Sequence, residues 1–349
     1  MARGVCFGIV GTGVGADFCA RGLSTVADPR VAKLVAVTSQ REERARNFAT
    51  KWGLKHWYTD YAEMLQKADI DAVAISAPHY LHYPMAMEGM KAAKHVLVDK
   101  PMAVNLKEAD AMIEEAARRN VKLGVILQSR FDPTFSRVKK AADEGRMGRL
   151  ILGEAVIEWY RTQEYYANSP WRGCWATEGG GALINQSIHT IDLLVWIMGP
   201  PKTLWAQTDT FAHKIEVEDV AVAAMRFRNG SLGVVQGSTA VYPGLPTRLE
   251  IHGTKGTAII EGEILKRWSV AGEKEETSVE AKEGLKSWAS PELVPATNHA
   301  SLLKDFAHAV LEDSEPYVTG AEGRRSIELI RAIYKSSKTL STVEFPLKE

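Results

Sequence analysis

Short, nearly continuous apolar segments alternate with amphipathic segments over the first third of the chain. The apolar segments predict five buried strands, with the sequences VCFGIV, KLVAVT, DAVAIS, HVLVD and KLGVIL. Helical periodicity between them predicts helices at residues 14–24, 41–53, 80–93 and 106–119, the second of them closed by a glycine. Apolar strands that alternate with helices are typical of a parallel sheet covered on both faces. We therefore predict a doubly wound α/β domain at residues 1–128.

The pattern changes after residue 128. A helix at residues 133–144 leads into longer strand patterns, namely RLILGEAVIEWYR, TLWAQTDTFAH, DVAVAAMRF, SLGVVQGSTAVY, TRLEIHG and TAIIEG. The turns RNGS and GTKG favour antiparallel connections. Two closing helices, predicted at residues 300–312 and 320–338, are candidates to pack back on the first domain. Residues 129–349 thus predict an α+β domain with an open, largely antiparallel sheet and helices on one face.

Length and composition narrow the class of protein. A chain of 349 residues is longer than one hydrophobic core usually serves, so two domains are expected. Its content of 45% hydrophobic and 25% charged residues is ordinary for a soluble globular protein. The 43 basic and 43 acidic side chains cancel, so nothing indicates a nucleic-acid or membrane-surface partner. No segment suits a membrane span or a targeting signal, and we expect a cytoplasmic, reducing compartment. Residues 273–286 are charged and predict a surface excursion.

The cysteines give no indication of a metal site. Cys6, Cys19 and Cys174 form no CxxC motif and no cluster with histidines. That spacing argues against structural zinc and against a disulfide framework. We therefore predict no bound metal.

A glycine-rich turn, GIVGTGVGADF, joins the first strand to the first helix. Gly11 would permit a tight turn, and Gly13 would let the backbone approach a pyrophosphate resting on the helix N-terminus. Ala16 would keep the helix close to the sheet. We predict a dinucleotide site in a Rossmann domain, with Thr12 and Val14 beside the cofactor. The alternative is an ordinary glycine-rich turn that binds nothing.

The end of the second strand bears on the choice between NAD and NADP. An NAD enzyme usually has an acidic residue here, which holds the ribose 2′-hydroxyl. This chain has Ser39 instead, followed by Gln40 and Arg41. A hydroxyl and a guanidinium suit a 2′-phosphate, so NADP is favoured over NAD. The alternative is that Arg41 is a solvated residue at the start of a helix.

Three motifs, taken in order, resemble one family. They are GTGVGA, SAPHYLHYPMAMEGMKAAKHVLVDKPMA and GGGALINQSIHTIDLL. Together they are similar to the Gfo/Idh/MocA oxidoreductases, the glucose–fructose oxidoreductase and inositol dehydrogenase family. The resemblance covers nearly the whole chain. It implies a Rossmann domain, a second domain whose open sheet mediates a homodimer or homotetramer, and redox chemistry at a secondary carbon of a sugar or cyclitol.

The resemblance assigns roles around the fourth strand. Asp99, Lys100 and Pro101 match the family's Glu-Lys-Pro signature, with aspartate in place of glutamate, and Asp99 is placed with the cofactor-binding residues. The Lys100 ammonium would contact the nicotinamide ribose and stabilise a developing alkoxide. Pro78 and His82 match positions that flank the nicotinamide. The alternatives are a solvent-exposed lysine in a turn and a structural histidine.

The family's third motif has an aspartate and, four residues later, a histidine. Here these positions hold Asn185 and His189, which would share one face of a helix. The resemblance makes His189 the general base in oxidation and the acid in reduction, a role that suits an imidazole. Asn185 cannot readily shuttle a proton, but it can hydrogen-bond a sugar hydroxyl. The alternative is a core histidine satisfied by Asp192.

The segment EWYRTQEYYANSPWRGCW is rich in aromatic and cationic side chains. Aromatic faces and arginine forks suit polyhydroxylated rings and carboxylate or phosphate groups. We predict substrate contacts from the following residues: Arg161, Tyr165, Trp171 and Arg172. Arg130, in a segment similar to one at the family's domain junction, is a further candidate. The alternative is loop or inter-subunit packing.

The leading functional hypothesis is a NAD(P)-dependent dehydrogenase of a sugar, nucleotide sugar, cyclitol or related ring. Family relatives also suggest a redox-neutral, NAD-dependent glycosidase or lyase, which shows no net change in reduced cofactor. A non-catalytic cofactor sensor is a third possibility, which the presence of Lys100 and His189 argues against.

Overall fold

The structure, a computed structural model, describes residues 4–26, 28–278 and 295–348. Of the surface excursion predicted at residues 273–286, the part from residue 279 lies outside the described residues. The described chain divides into two compact units. The first contains the described residues of 4–103, 107–131 and 295–324, and the second those of 104–106, 132–278 and 325–348. The boundary after residue 128 stays a prediction.

The secondary structure alternates strands and helices up to β6 and is dominated by strands from β7 onward. In chain order the elements are β1 (Val5–Val10), α1 (Val14–Thr25), β2 (Ala32–Thr38), α2 (Glu42–Trp52), β3 (His56–Tyr58), α3 (Tyr61–Lys67), β4 (Ala72–Ile75), α4 (His79–Lys91), β5 (His95–Asp99), α5 (Leu106–Arg119), β6 (Leu123–Ile126), a 3-10 helix (Gln128–Phe131), α6 (Pro133–Asp143), β7 (Leu150–Glu158), α7 (Gln163–Ala167), α8 (Trp175–Glu178), a π-helix (Ala182–Ser187), α9 (Ile188–Met198), β8 (Pro201–Asp209), β9 (Val220–Phe227), β10 (Leu232–Ser238), β11 (Arg248–Gly253), β12 (Gly256–Glu261), β13 (Ile264–Val270), β14 (Glu276–Thr277), α10 (Thr297–Leu311), α11 (Gly320–Thr339) and β15 (Val343–Glu344). None of the helices in these described segments has the length and apolarity that a membrane span requires.

The first unit is built on a six-stranded, all-parallel sheet with the strand order β3-β2-β1-β4-β5-β6. Every residue of the central strands β1 and β4 is buried, as expected when both faces of a parallel sheet are covered. The predicted doubly wound parallel sheet is thus confirmed. The sequence pattern missed β3, because three partly exposed residues at a sheet edge are too few to produce a periodic signal.

Helix α10 contributes to the core of the first unit. Its Leu303 and Phe306 lie in the same buried cluster as Phe7 of β1 and Cys19 of α1. Gly22 of α1 allows the close approach, because a Cβ atom there would lie 2.7 Å from Leu303 Cδ1. The first unit is therefore assembled from distant parts of the chain.

The second unit is built on a nine-stranded sheet with the order β14-β13-β12-β11-β7-β10-β9-β8-β15. Within this described sheet only the pair β7 and β10 is parallel, which confirms the largely antiparallel prediction. The strand predicted from TLWAQTDTFAH is too long at its end, since β8 stops at Asp209. Beyond it the backbone N–H groups of Phe211 and Ala212 donate to the Asp219 carboxylate, each at 2.8 Å. These two groups therefore do not form hydrogen bonds with the neighbouring strand.

The two faces of this sheet differ. On one face, Gly153 of β7 lets α9 approach, because a Cβ atom would lie 2.8 Å from side-chain atoms of Leu194 and Met198. On the other face, Trp205, Val222 and Leu232 are nearly half-exposed, at 47%, 46% and 47%. One face is therefore covered by helix, and the other presents apolar side chains.

Candidate active site

The fold itself requires two glycines of the turn after β1. Gly11 has a φ of +108°, and a Cβ atom there would lie 2.1 Å from the Ser76 carbonyl oxygen. A Cβ atom on Gly15 would lie 2.2 Å from Ser76 Oγ and 2.4 Å from Asp99 Oδ2. Gly15, which was not predicted to have a role, therefore sets the approach of α1 to the strand ends. Ala16 is fully buried behind it.

Gly13 is different, because the fold does not require it. Its φ is −84°, it is exposed, and no atom lies within 4 Å of the position that a Cβ would occupy. It is the N-cap of α1 and provides no side-chain hydrogen bond to the first-turn amides. A glycine in this position suits a ligand that approaches the backbone and accepts from those amides, as a pyrophosphate does. Thr12 is half-buried and Val14 exposed at the same turn.

The predicted ribose position lies at the end of β2. The Ser39 amide donates to the Tyr58 carbonyl oxygen at 3.1 Å, which holds Ser39 beside β3. The Arg41 amide donates to Ser39 Oγ at 3.4 Å, and Arg41 itself is exposed at the start of α2. The arrangement suits a polar ligand group, while the choice between NAD and NADP stays a prediction.

Asp99 fixes the turn that carries Lys100. One carboxylate oxygen accepts from Ser76 Oγ at 2.9 Å, and the other accepts from the Lys100 amide at 2.8 Å. The Lys100–Pro101 peptide bond is cis. Both Asp99 oxygens are thus engaged in holding the start of this turn. We interpret Asp99 as a residue that positions the half-buried Lys100.

His82 braces the same turn from helix α4. Its ring is buried, with Nδ1 2.7 Å from the Pro101 carbonyl oxygen and Nε2 2.8 Å from the Ala77 carbonyl oxygen. Burial lowers the pKa of His82 against the opposing effects of Asp99 and of the two carbonyls. Pro78 is the N-cap of α4. Contact of Pro78 and His82 with a nicotinamide stays a prediction.

In the second unit, a buried carboxylate organises the glycine run. Glu218 accepts from the Gly181 and Leu183 amides at 2.9 Å each, and from the Tyr334 hydroxyl at 2.9 Å. Burial raises the pKa of Glu218 to about 7, although these three donors oppose the rise. A Cβ on Gly181 would lie only 1.9 Å from the Glu218 carbonyl oxygen. Glu218 thus substitutes for a cap at the start of the helical segment.

The helical segment itself differs from the regular helix that the motif predicted. Ala182–Ser187 forms a π-helix, and α9 begins only at Ile188. The Ser187 hydroxyl donates to the Ala182 carbonyl oxygen five residues earlier, at 2.9 Å. Asn185 therefore lies in the wider turn and His189 in the first turn of α9. Such π turns often occur at functional sites.

A hydrogen-bond network surrounds Asn185. Its Nδ2 donates to Glu178 Oε1 at 2.5 Å and lies 3.4 Å from the Tyr165 hydroxyl oxygen. The Gln186 amide nitrogen donates to the same hydroxyl at 2.8 Å, and its oxygen accepts from the Arg161 guanidinium at 3.0 Å. Glu178 and Gln186 were not predicted as site residues, because the family's aspartate and histidine positions, which indicated Asn185 and His189, include neither of them.

The predicted substrate residues of the second unit form one cluster. The Arg172 guanidinium lies 4.1 Å from the centre of the Tyr165 ring and 5.2 Å from that of Trp171. The Arg161 guanidinium lies 5.2 Å from the Tyr165 ring centre. Burial and the neighbouring Arg172 lower the pKa of Arg161. Two guanidinium groups thus share one aromatic ring, an arrangement that an anionic ligand would stabilise.

Two other predicted residues have interior surroundings. Arg130 is 2% exposed, and its guanidinium pairs with Glu322 at 2.7 Å within the first unit. This pairing holds Arg130 in the interior, and its contact with substrate stays a prediction. Asp192, also buried, accepts from the Ser326 hydroxyl of α11 at 3.0 Å. Within the described residues, no group of three or more metal-ligating side chains is arranged to hold an ion.

Two family models match the chain. One, described as an oxidoreductase family with an NAD-binding Rossmann fold, matches residues 5–127, and the other, the GFO/IDH/MocA C-terminal domain, matches residues 135–259. The chain belongs to the Gfo/Idh/MocA family. It is accordingly an NAD(P)-dependent oxidoreductase, as its motifs predicted.

Relatives of this family member act on varied rings. The chain is 30% identical over 254 residues to the myo-inositol 2-dehydrogenase of Thermotoga maritima. That alignment covers 71% of this chain and 73% of the Thermotoga enzyme. The chain is 26% identical to the 1,5-anhydro-D-fructose reductase of Ensifer adhaerens, with 89% and 91% covered. The WlbA dehydrogenase of Bordetella pertussis, solved in complex with NADH and UDP-GlcNAcA, superposes with a TM-score of 0.88 at 30% identity, with 99% and 100% covered.

The contrast between Gly11 and Gly13 can be tested. Gly13→Ala should leave the melting temperature of the cofactor-free protein within about 2 °C of wild type, because its Cβ enters open space. It should weaken binding of reduced cofactor by about tenfold or more, because the methyl group obstructs the pyrophosphate. Calorimetric titration and thermal melts measure the two effects.

Gly11→Ala is the matched comparison. It should lower the melting temperature itself by more than about 3 °C, because its Cβ overlaps Ser76 and its φ is positive. Cofactor affinity unaffected by Gly13→Ala would show that the loop does not cradle a pyrophosphate.

Proposed function

We propose that the protein transfers a hydride between a nicotinamide cofactor and a secondary alcohol or ketone carbon of a polyhydroxylated ring. The observation that supports this most directly is the network in the second unit. Asn185 and Gln186, which precede His189 on one segment, hydrogen-bond Tyr165 of the arginine and aromatic cluster. Asn185, one of the residues predicted to take part in catalysis, therefore belongs to the same hydrogen-bonded network as Tyr165 and Arg161, two of the residues predicted to bind substrate.

The proposed chemistry divides between three side chains. The nicotinamide, when bound, accepts or donates the hydride. His189 takes the hydroxyl proton during oxidation and returns it during reduction. The Lys100 ammonium, at the end of β5, stabilises the negative charge that develops on the substrate oxygen. Asn185 hydrogen-bonds a substrate hydroxyl.

A finer proposal concerns the substrate. Arg161 and Arg172 place two positive charges at the Tyr165 ring. Burial lowers the pKa of Arg161, because it disfavours the charged form of the guanidinium. A carboxylate or phosphate on the ring would stabilise both guanidinium groups. We favour a sugar acid or nucleotide sugar over an uncharged cyclitol. The bound UDP-GlcNAcA of the similar Bordetella enzyme supports this choice.

The test is absorbance of the reduced nicotinamide. Purified protein is mixed with NAD or NADP and with matched rings that differ in one carboxylate or phosphate. A rise that depends on the ring supports a dehydrogenase, and a faster rise with the charged member supports the finer proposal. Conversion of a glycoside with no net change in reduced cofactor would instead identify the redox-neutral alternative.

Removal of either proposed catalytic group should abolish most turnover. Lys100→Ala and His189→Ala should each lower kcat by about two orders of magnitude or more, while cofactor affinity stays nearly unchanged. The exposed residues Lys91 and His56 provide the controls Lys91→Ala and His56→Ala, which should turn over as wild type. Wild-type rates in either of the first two variants would exclude that side chain from catalysis.

We also propose a preference for NADP, from Ser39 and Arg41. Ser39→Asp should shift the ratio of kcat/KM values towards NAD by about tenfold or more, because a carboxylate repels the 2′-phosphate and binds a ribose hydroxyl. Gln40→Asp, one exposed position further, is the control for added charge alone. Equal shifts in both variants would mean that Ser39 does not face the ribose.

We further propose that the exposed sheet face joins two copies of the chain in a homodimer or homotetramer. Trp205 and Val222, on adjacent strands β8 and β9, are exposed apolar groups of that face. The three free cysteines support the accompanying proposal of a reducing, cytoplasmic compartment.

Charge on that face should disrupt the assembly. Trp205→Lys should reduce the molar mass measured by light scattering, because an ammonium cannot be buried there unpaired. Phe211→Lys, at an exposed aromatic residue just beyond β8, should leave the mass unchanged. A wild-type mass in the Trp205 variant would place the contact elsewhere.

A further inference from the structure

We propose that Glu178 is a positioning residue that orients the Asn185 side chain, so that Asn185 presents its carbonyl oxygen to the substrate as a hydrogen-bond acceptor. This inference rests on the proposed function, in which Asn185 contacts a substrate hydroxyl. It concerns residues that lie seven apart in the sequence and that no family motif links.

The first step concerns whether the Glu178 carboxyl group is ionised. Its side chain is buried, at 1% exposure, just before the glycine run. Oε2 accepts from the Gly173 amide at 2.6 Å, and Oε1 accepts from Asn185 Nδ2 at 2.5 Å. Because each oxygen faces a donor, the geometry fits an ionised carboxylate, which accepts at both oxygens.

The second step is the orientation of the amide. A carboxylate can only accept, so Asn185 must direct its NH2 group towards Glu178. The second hydrogen of that group is directed towards the Tyr165 hydroxyl, 3.4 Å away. The carbonyl oxygen of Asn185 is then on the opposite side of the side chain. What Asn185 offers a ligand is thus an acceptor, the same polarity as the aspartate that the family motif has here.

The third step is that an acceptor on Asn185 selects the group of the ligand that it can bind, namely a hydroxyl and not a ketone oxygen. A substrate hydroxyl can donate to an amide oxygen, whereas a ketone oxygen has no hydrogen to donate. The Glu178 charge stays one hydrogen bond away from the substrate. The acid of the family motif is thus replaced by an amide with a carboxylate behind it.

Exchange of the two side chains tests this arrangement. In Glu178→Gln, one oxygen must satisfy the Gly173 amide, so the new NH2 group faces Asn185 and forces its amide to reverse. In Asn185→Asp, two carboxylates meet in a buried site. Each single variant should lower kcat/KM by about tenfold or more. The double variant Glu178→Gln with Asn185→Asp restores one acid and one amide, and should recover kcat/KM to within about threefold of wild type.

Melting temperature supplies a measurement independent of turnover. Both single variants should melt below wild type at pH 7, and the double variant should melt above either of them, because the buried donors and acceptors match again. Glu164→Gln, at an exposed glutamate of α7, is the control and should change neither quantity.

The outcomes separate the two proposals. Recovery of stability without recovery of kcat/KM would show that the pair is only structural, and wild-type kcat/KM in Glu178→Gln would also overturn the inference. A double variant that melts below both single variants would exclude the orientation itself. If wild type turned over no ring with either cofactor, the proposed function would fail and presentation of Asn185 to a substrate would fail with it, while the melting comparison would still show whether Glu178 and Asn185 are a matched donor and acceptor pair.

Discussion

The second unit depends on the burial of one carboxylate, that of Glu218. Its oxygens hold the Gly181 and Leu183 amides, and Tyr334 of α11 donates to the same group. Glycine is needed at residues 180 and 181, because a Cβ at either would overlap Tyr334 or the Glu218 backbone. The start of the segment with Asn185 and His189 is thereby fixed by hydrogen bonds that solvent cannot replace. A charge in this position is costly to bury, and the raised pKa of Glu218 expresses that cost.

The sequence predicted most of the fold, because its main features are local. Apolar strands separated by helices indicated the parallel sheet, and the glycine-rich turn indicated the Rossmann topology. Two of the differences from the predicted elements have a clear physical cause. β3 is three residues long, and β8 stops where the Asp219 carboxylate, ten residues further on, binds the next amides.

The candidate site was only partly predictable from the sequence. Family motifs indicated Lys100, Asn185 and His189, and the composition of one segment indicated the arginine and aromatic cluster. Glu178 and Glu218 could not be found in this way, because Glu178 lies before the glycine run and outside the family motif, and the Glu218 partners Gly181 and Leu183 lie 37 and 35 residues away. The pairing of Arg130 with Glu322, 192 positions away, was likewise outside any sequence pattern, and contact of Arg130 with substrate stays a prediction.

The π-helix has a consequence for how this segment tolerates change. A π turn is an α-helix that contains one surplus residue, and each residue of an α-helix advances the side-chain direction by about 100°. The surplus residue in Ala182–Ser187 therefore sets the angular phase between Asn185 and the side chains of α9. Loss of one residue here would rotate Asn185 away from its present direction while leaving every side chain of α9 intact. The length of this segment, and not only its composition, is thus part of the site.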